Sequence, residues 1–310
     1  MAKMLISGGN GFLGSYLVEK ALENGYEVTV VDDLSTSKEV QIPKEARLVK
    51  KKIERFATRE KFDAVVHLAA RPSPEDYIRK PTSTILSNSI GTYRMLEIAR
   101  KSNALFVYTS SSEVYGNASI IPTPEEYFGN VNPNGIRSCY DESKRFSEAL
   151  AMAYYRQFGL DVRIQRPFNV YGPRIRADGF YGRVIPRFIV QALGNKPITV
   201  HGDGKQTRSF LYISDWLEAT WKFMNIKEPK YRIINIGSDK EIEIIKLAEL
   251  IKSLANSSSK IVNTERREED PQRRAANIAK AREMLGFEPK VGLEEGLMRT
   301  IDWFKQKMHK

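Results

Sequence analysis

Short apolar runs alternate with longer amphipathic stretches along the first half of the chain. Four of the runs are compact and rich in β-branched residues: KMLIS (3–7), EVTVVD (27–32), DAVVHLA (63–69) and ALFVYTS (104–110). Such runs are typical of parallel strands that are buried on both faces. The stretches 12–25 and 81–102 have the period of helices, with Pro81 suited to a helix start and Gly25 to a helix stop. Alternating strands and helices predict an α/β fold with a doubly wound parallel sheet.

The pattern continues with a helix over 139–159 and a strand over 160–167, and then becomes irregular. Later elements are predicted as a helix and a strand within 183–201 and helices at 214–225, 243–255, 278–286 and 292–308. The 310 residues suit about two domains of roughly 150 residues each. We predict a Rossmann-type domain over 1–168 and a smaller, partly interleaved C-terminal substrate domain over 169–310, with 209–238 returning to the first.

Cysteine, histidine and hydropathy limit the classes of protein. The single cysteine, Cys139, permits no intramolecular disulfide, which favours a reduced cytoplasm. Three scattered histidines and one cysteine make a structural metal site unexpected. No stretch approaches the roughly 20 apolar residues of a membrane span, and the N-terminus becomes glycine-rich too soon for a signal peptide. We therefore expect no metal and no membrane partner.

The formal net charge of +11 raises the question of nucleic-acid binding. The basic runs at 48–56 and 265–274 are short and mixed with acidic or apolar residues, which is typical of solvated surface. A positive field also attracts small anions such as nucleotide diphosphates. We therefore expect a nucleotide-containing small molecule rather than nucleic acid.

A glycine-rich loop, SGGNGFLGSYL, follows the first strand and opens the first helix. Gly8, Gly11 and Gly14 permit a tight turn, and the helix N-terminus then faces a pyrophosphate. Asp32 ends the second strand, where a carboxylate hydrogen-bonds ribose hydroxyls and repels a 2′-phosphate. The pattern predicts NAD rather than NADP. The other expected cofactor contacts are Phe12, Leu13, Leu68 and Ala69.

Two Tyr-x-x-x-Lys pairs occur, Tyr16 with Lys20 and Tyr140 with Lys144, and either can share one face of a helix. The first pair lies on the helix of the glycine loop, so packing is expected for Tyr16 and surface exposure for Lys20. Ser111, in TSSSEVYG, follows the fourth strand at its carboxyl end, where ligands of such sheets bind. Ser111, Tyr140 and Lys144 are therefore the candidate reacting groups.

This arrangement resembles the extended short-chain dehydrogenase/reductase family, which contains nucleotide-sugar epimerases, dehydratases and decarboxylases. The resemblance implies that Tyr140 is the acid/base, that Lys144 holds the nicotinamide ribose, and that Ser111 steadies the reacting oxygen. A free tyrosine has a pKa of about 10. We expect the Lys144 cation and the positive nicotinamide to lower the pKa of Tyr140 by favouring the phenolate.

The neighbourhood of Ser111 indicates a branch of the family. Dehydratases carry an Asp-Glu pair where this chain has Ser112-Glu113, and typical 4-epimerases carry a small or hydroxyl residue in place of Glu113. A hydroxyl residue followed by Ser-Glu resembles UDP-glucuronate decarboxylases. The resemblance adds Glu113 to the catalytic candidates, as the carboxylate that positions water or sugar during loss of carbon dioxide. The segments 71–77, 125–145 and 269–281 resemble the same branch, and the resemblance implies that Arg274 faces the sugar carboxylate.

Further contacts are implied by the resemblance. Asn169 would hold the sugar diphosphate, Arg208 and Arg267 would bind phosphate, and His201 would lie near the nucleobase. The family also implies a homodimer paired through the helices at 81–102 and 139–159.

Three departures from the branch stand out. Lys52 replaces an aspartate that is usual near the adenine, and Arg71 replaces a usual proline, adding a cation near the expected sugar site. Ala275-Ala276-Asn277 follows Arg274 in place of the usual residues, which alters its setting.

The resulting prediction is an NAD-dependent conversion of a nucleotide sugar through a 4-keto intermediate, with UDP-glucuronate giving UDP-xylose. A UDP-sugar 4-epimerase, acting on UDP-glucose and UDP-galactose or on UDP-glucuronate, is the alternative. A non-catalytic NAD-binding regulator is a more distant one, against which the intact set of Ser111, Tyr140 and Lys144 argues.

Overall fold

A seven-stranded sheet forms the centre of the molecule. The computed structural model describes residues 1–36, 39–177, 182–266 and 270–308. The strands of the sheet are β1 (Lys3–Ser7), β2 (Glu27–Asp32), β3 (Arg47–Lys50), β4 (Ala64–His67), β5 (Leu105–Thr109), β6 (Val162–Pro167) and β11 (Ile233–Ile236). Their order is β11-β6-β5-β4-β1-β2-β3, and every neighbouring pair is parallel. The predicted α/β class with a doubly wound parallel sheet is confirmed.

The apolar strand runs fill the space between two layers of helices. Met4, Leu5 and Ile6 in β1 and Val65 and Val66 in β4 are fully buried. A parallel sheet needs cover on both faces, because its crossover connections place helices there. The strands therefore contain consecutive apolar residues rather than alternating apolar and polar ones.

Nine helices occur in the described residues. They are α1 (Phe12–Glu23), α2 (Pro74–Arg79), α3 (Pro81–Ser102), α4 (Ser138–Phe158), α5 (Val184–Leu193), α6 (Ile213–Asn225), α7 (Ile244–Leu254), α8 (Ala279–Leu285) and α9 (Leu293–Met308). Pro81 occupies the first position of α3, and Gly159 ends α4 with a φ of +66°. The sequence did not predict α2, because its six residues are too few to show a helical period.

The second half of the chain adds short strands around a separate hydrophobic core. The strands are β7 (Val170–Tyr171), β8 (Ile198–His201), β9 (Thr207–Ser209), β10 (Leu211–Tyr212), β12 (Glu241–Glu243), β13 (Ile261–Thr264) and β14 (Arg273–Arg274). Strand β14 pairs with β9 in parallel, so that Arg274 lies opposite Arg208. This register places two arginines that are distant in sequence side by side on neighbouring strands.

The two halves of the chain share structure. Strand β11 pairs with β6 in parallel, with Ile233 opposite Ile164, after the chain has passed through α5 and α6. One hydrophobic core contains Phe168, Trp216 and Phe304. The edge of the central sheet is therefore built by a segment from late in the chain.

Within the described ranges, none of the helices is both long and apolar enough to span a lipid bilayer. Among those residues, His, Cys, Asp and Glu side chains also form no cluster of three or more that would hold a metal ion.

Candidate active site

A cleft of about 1080 Å³ lies at the carboxyl ends of the central strands. One wall contains Asp32 from the end of β2 and Thr109 from the end of β5. The opposite wall contains His201 and Arg208 from the second half of the chain. Ligands of open parallel sheets bind at this edge, so the cleft is the candidate active site.

All of the residues predicted to contact the cofactor line this cleft. They are Gly8, Gly11, Phe12, Leu13, Gly14, Asp32, Leu68, Ala69, Tyr140 and Lys144.

The glycine loop closes tightly against the segment after β4. Gly8 has a φ of +71°, and a Cβ atom there would lie 2.6 Å from the Ala69 backbone nitrogen. A Cβ atom on Gly14 would lie 2.3 Å from the Gly8 carbonyl oxygen. The loop therefore requires glycine at both positions, and it leads directly into the N-terminus of α1. That arrangement fits the pyrophosphate of a dinucleotide.

Asp32 is held at the end of β2 by two backbone donors. Its carboxylate accepts hydrogen bonds from the backbone N–H groups of Asn10, at 3.1 Å, and Leu34, at 2.9 Å. Burial raises the pKa of Asp32, and the two backbone donors oppose that shift. The residues of this half of the cleft thus fit NAD.

Lys144 is buried at the centre of the site. Its Nζ donates a 2.8 Å hydrogen bond to the Thr109 carbonyl oxygen and lies 5.7 Å from the centroid of the Tyr140 ring. Burial lowers the pKa of Lys144 to about 7, while the Glu148 carboxylate one helical turn later opposes that shift. The i,i+4 spacing on α4 therefore places Tyr140 and Lys144 together in the cleft.

Tyr140 packs face to face on Tyr77, with ring centroids 4.9 Å apart. Burial raises the pKa of Tyr140 above its ordinary value, and the hydrogen-bonding Ser111 hydroxyl opposes the shift. The expected lowering of this pKa is thus wrong for the chain's own residues, because desolvation of the phenolate outweighs the favourable interactions. Ser111 also accepts a 3.2 Å hydrogen bond from the Glu113 backbone N–H.

The Glu113 carboxylate lies between two arginines. One oxygen bonds to Arg137 and the other to Arg274. Burial would raise the pKa of Glu113, but the two cations outweigh it and hold the pKa at about 2. Arg274, expected to face a sugar carboxylate, therefore faces a carboxylate of the chain itself. Sequence reasoning missed Arg137, although it precedes Tyr140 closely within the segment 125–145.

Three of the predicted substrate contacts, Asn169, His201 and Arg208, line the cleft on its opposite wall. Arg208 donates a 2.7 Å hydrogen bond to the Asp270 carboxylate, and it is buried. The amide of Asn169 donates to the Ser209 carbonyl oxygen at 2.8 Å. His201 Nε2 accepts from Arg187 at 3.0 Å. Arg267 lies outside the described residues.

Arg71 lines the cleft, and side chains of this chain hold its guanidinium. Its guanidinium donates a 3.0 Å hydrogen bond to the Ser35 hydroxyl and lies 3.9 Å from the Asp33 carboxylate. It therefore faces the loop after β2, beside the proposed adenosine site, rather than Glu113. The neighbouring Asp76 pairs with Arg176, from the segment after β7, at 3.3 Å.

The other departures have simple structural settings. Lys52 is exposed, and Lys51 rather than Lys52 lines the cleft. Ala275 and Ala276 are fully buried, and the Ala275 carbonyl oxygen accepts a 2.9 Å hydrogen bond from the Thr123 backbone. The altered residues after Arg274 thus anchor the strand that carries it.

The other Tyr-x-x-x-Lys pair, Tyr16 with Lys20, lies outside the cleft lining. The Tyr16 hydroxyl donates to the Pro173 carbonyl oxygen at 3.2 Å, and Arg174 covers its ring at 4.5 Å. The Lys20 side chain is 38% exposed. These contacts are those of a packing residue and a surface residue.

Comparison with known proteins extends these observations. The family model described as the NAD dependent epimerase/dehydratase family matches residues 4–237. UDP-glucuronic acid decarboxylase 3 of Arabidopsis thaliana is 43% identical over 312 residues, covering 99% of this chain and 90% of that protein.

Two solved structures are similar in fold. UDP-glucose 4-epimerase of Thermotoga maritima, with UDP-glucose, has a TM-score of 0.90 at 30% identity, covering 99% of both chains. UDP-glucuronic acid 4-epimerase of Bacillus cereus, in complex with UDP-glucuronic acid and NAD, has a TM-score of 0.87 at 27% identity, covering 98% of this chain and 99% of that one. With its glycine loop, its Tyr140–Lys144 pair and these full-length similarities, the chain belongs to the NAD-dependent epimerase/dehydratase family.

Proposed function

We propose that this protein is an NAD-dependent UDP-glucuronate decarboxylase, which forms UDP-xylose and carbon dioxide through a 4-keto sugar. The observation that carries the proposal is the Glu113 carboxylate bound by Arg137 and Arg274 beside the Tyr140 site. The 43% identical Arabidopsis relative, a UDP-glucuronic acid decarboxylase, supports it.

The two walls of the cleft suit the two ligands. The glycine loop and Asp32 hold the adenosine and pyrophosphate portions of NAD, and the Lys144 ammonium holds the nicotinamide ribose. Arg208 and Asn169 on the opposite wall hold the diphosphate of the nucleotide sugar. Arginine suits that task, because its planar guanidinium donates two parallel hydrogen bonds to phosphate oxygens.

The reaction is an internal redox cycle. NAD, when bound by the glycine loop, Asp32 and Lys144, would supply the chemistry of a reversible hydride acceptor for C4 of the sugar. The Tyr140 phenolate accepts the proton of the 4-hydroxyl, and the Ser111 hydroxyl donates a hydrogen bond to the same oxygen. Lys144 and the positively charged nicotinamide favour the phenolate that this proton transfer needs, against the effect of burial.

Loss of carbon dioxide follows from the chemistry of the 4-keto sugar. Its carboxylate is β to the new carbonyl, so the C5–C6 bond breaks and the electron pair moves to the 4-oxygen as an enolate. The Tyr140 and Ser111 hydroxyls stabilise the negative charge there. C5 takes a proton from water, the hydride returns to C4, and the Tyr140 proton returns to the 4-oxygen, which completes UDP-xylose.

The alternative is a UDP-sugar 4-epimerase with the same Ser111, Tyr140 and Lys144, in which the keto sugar rotates before the hydride returns. The two similar epimerase structures favour it. The test is to incubate the wild type with UDP-glucuronate, UDP-glucose and UDP-galactose in parallel, resolve products by NMR and trap carbon dioxide. We expect UDP-xylose and carbon dioxide from UDP-glucuronate. Interconversion of UDP-glucose and UDP-galactose without carbon dioxide would establish the epimerase.

A homodimer in a reduced cytoplasm is part of the proposal. Four apolar side chains of α3 (Ile85, Leu86, Ile90 and Tyr93) are between 39% and 44% exposed, and Phe146 of the adjacent α4 is 49% exposed. Exposed apolar side chains on two neighbouring helices suit pairing with a second copy in a four-helix arrangement. The single cysteine suits a reducing compartment.

A further inference from the structure

Arg274 is engaged by the chain before any substrate arrives. Its Nη1 bonds to Glu113 Oε1, and its other terminal nitrogen lies 3.5 Å from the Gly116 carbonyl oxygen. The Arg274 side chain is only 8% exposed. A second carboxylate that approached this guanidinium would meet the negative charge of Glu113 in a site with little solvent to screen it.

Glu113 has a second cation to which it can remain bound. Its Oε2 bonds to Arg137, whose side chain is 16% exposed. Arg137 is itself fixed, since its guanidinium lies 5.6 Å from the Tyr77 ring and its Nε lies 3.7 Å from the Asp141 carboxylate. The Arg137–Glu113 contact therefore does not depend on Arg274.

The neighbouring arginine on the same wall has its own carboxylate. Arg208 lies opposite Arg274 in the β9–β14 register and donates to Asp270 at 2.7 Å. A carboxylate from solution therefore binds Arg274 most directly by displacing Glu113. Glu113 remains bound to Arg137 when it leaves Arg274.

We propose that Glu113 occupies the place of the substrate carboxylate on Arg274, and that Arg137 is the positioning residue that keeps Glu113 when the substrate displaces it. This inference rests on the proposed action on UDP-glucuronate. It makes Arg137 a determinant of binding for carboxylated sugars alone, without contact to the substrate. UDP-glucose, which carries a hydroxymethyl group in place of the carboxylate, would require no exchange.

The test measures binding to the NAD-loaded protein in a Tyr140→Phe background, in which turnover is blocked. Calorimetry gives the Kd for UDP-glucuronate and for UDP-glucose in each variant. Glu113→Gln should lower the Kd for UDP-glucuronate by roughly ten- to a hundredfold, which is the range of a charged hydrogen bond. The Kd for UDP-glucose should stay within about twofold. Arg137→Gln should weaken UDP-glucuronate selectively by a similar factor, because Glu113 then has only Arg274.

The double variant Arg137→Gln/Glu113→Gln separates exchange from structural damage. With no Glu113 charge to reposition, it should bind UDP-glucuronate as tightly as Glu113→Gln alone. Arg137→Lys should restore part of the affinity, and Arg156→Gln, which removes an exposed charge at the far end of the same helix, should change neither Kd. Thermal unfolding with and without NAD checks that each variant is folded.

Two outcomes would overturn the inference. If Glu113→Gln leaves the ratio of the two Kd values unchanged, Glu113 does not compete for Arg274. If the double variant binds UDP-glucuronate as weakly as Arg137→Gln alone, Arg137 does not act through Glu113. A reference protein that binds UDP-glucose better than UDP-glucuronate would instead contradict the proposed function.

Discussion

The Tyr77 ring stacks on the Tyr140 ring with an interplanar angle of 22° and a centroid separation of 4.9 Å. Tyr77 is buried on α2, and its hydroxyl donates to the Pro72 carbonyl oxygen at 3.2 Å. The proposed acid/base therefore has one face fixed by a side chain from another segment. The aromatic surface, rather than the hydroxyl, makes that contact.

Tyr77→Ala should lower both stability and turnover. Truncating a buried aromatic side chain typically lowers the free energy of unfolding by about 3–5 kcal/mol, and the Tyr140 ring loses its packing partner. Tyr77→Phe keeps the stack and should retain most of kcat. Urea unfolding and kcat measured side by side check this, and equal kcat in the two variants would show that the stack does not position Tyr140.

Tyr140→Phe should abolish turnover of UDP-glucuronate, because the 4-hydroxyl loses its proton acceptor. NAD and UDP-glucuronate should still bind, since the ring and its stacking remain. Tyr16→Phe is the matched control: it removes a hydroxyl from the other Tyr-x-x-x-Lys pair, outside the cleft lining, and should leave kcat nearly unchanged. Carbon dioxide release and calorimetry measure the two properties, and substantial turnover by Tyr140→Phe would contradict its role.

Arg274→Ala should cripple decarboxylation while leaving NAD binding intact. Removing an arginine from a buried carboxylate typically costs about 2–5 kcal/mol, or roughly thirty- to several-thousand-fold in kcat/KM. Arg273→Ala is a matched control, because the preceding side chain is 54% exposed and pairs with Glu241 instead. Steady-state rates with UDP-glucuronate test the difference. Similar losses in the two variants would mean that the effect is not specific to the cleft.

Lys144 should make the folded protein less stable at low pH than a neutral side chain would. Its pKa is lowered from 10.5 to about 7 by burial, so the unfolded chain binds this proton more tightly. This destabilisation of the folded protein by Lys144 is fully present below about pH 7, and it falls as the pH rises from about 7 towards 10.5. Glu148 is the carboxylate that opposes the shift, and the buried His67 and Tyr140 also lie nearby.

Lys144→Met should therefore be more stable than the wild type at about pH 6. The gain should be a few kcal/mol, since one pKa unit corresponds to about 1.4 kcal/mol. The variant should lack turnover. The gain should shrink towards about pH 9.5. Urea unfolding of both proteins at the two pH values measures it. A Lys144→Met protein that is less stable than the wild type at the lower pH would contradict a destabilising buried ammonium.

Light scattering of the wild type at micromolar concentration should give the mass of a dimer. Introducing a charge on the exposed face of α3, as in Leu86→Glu, should shift the protein towards the monomer, because an ionised group resists burial in the pairing surface. Val40→Glu, another exposed apolar position but outside α3 and α4, should remain dimeric. A monomer mass for the wild type would exclude this pairing.

Local patterns predicted much of the fold. The bounds of β1 and β2 agree with the runs KMLIS and EVTVVD, because a buried parallel strand is recorded in consecutive apolar residues. The glycine loop was equally evident from the sequence, since the positions that require close backbone approach, Gly8 and Gly14, lie within one short segment. The predicted domain boundary at 168/169 stays a prediction.

The electrostatics of the site were less accessible from the sequence. Glu113 and Arg274 are 161 positions apart, and the strand that carries Arg274 is placed by its pairing with β9, which no local pattern shows. The partners of Arg71, Ser35 and Asp33, lie in the loop after β2, and no local pattern connects that loop with residue 71. The raised pKa of Tyr140 depends on how completely its neighbours exclude water. A sequence motif gives no information about that burial.

The position of β11 at the sheet edge also sets an order for folding. Strand β6 is almost entirely buried and pairs with β5 on one side, but its other side is covered only when residues 233–236 are in place. A nascent chain thus exposes an unpaired strand edge on β6 until more than two-thirds of the chain has been synthesised. Parallel pairings between distant segments form slowly, because the entropy of loop closure is lost before the stabilising contacts form. We expect this edge to be the point at which partly folded chains associate, and the point where a chaperone is most useful.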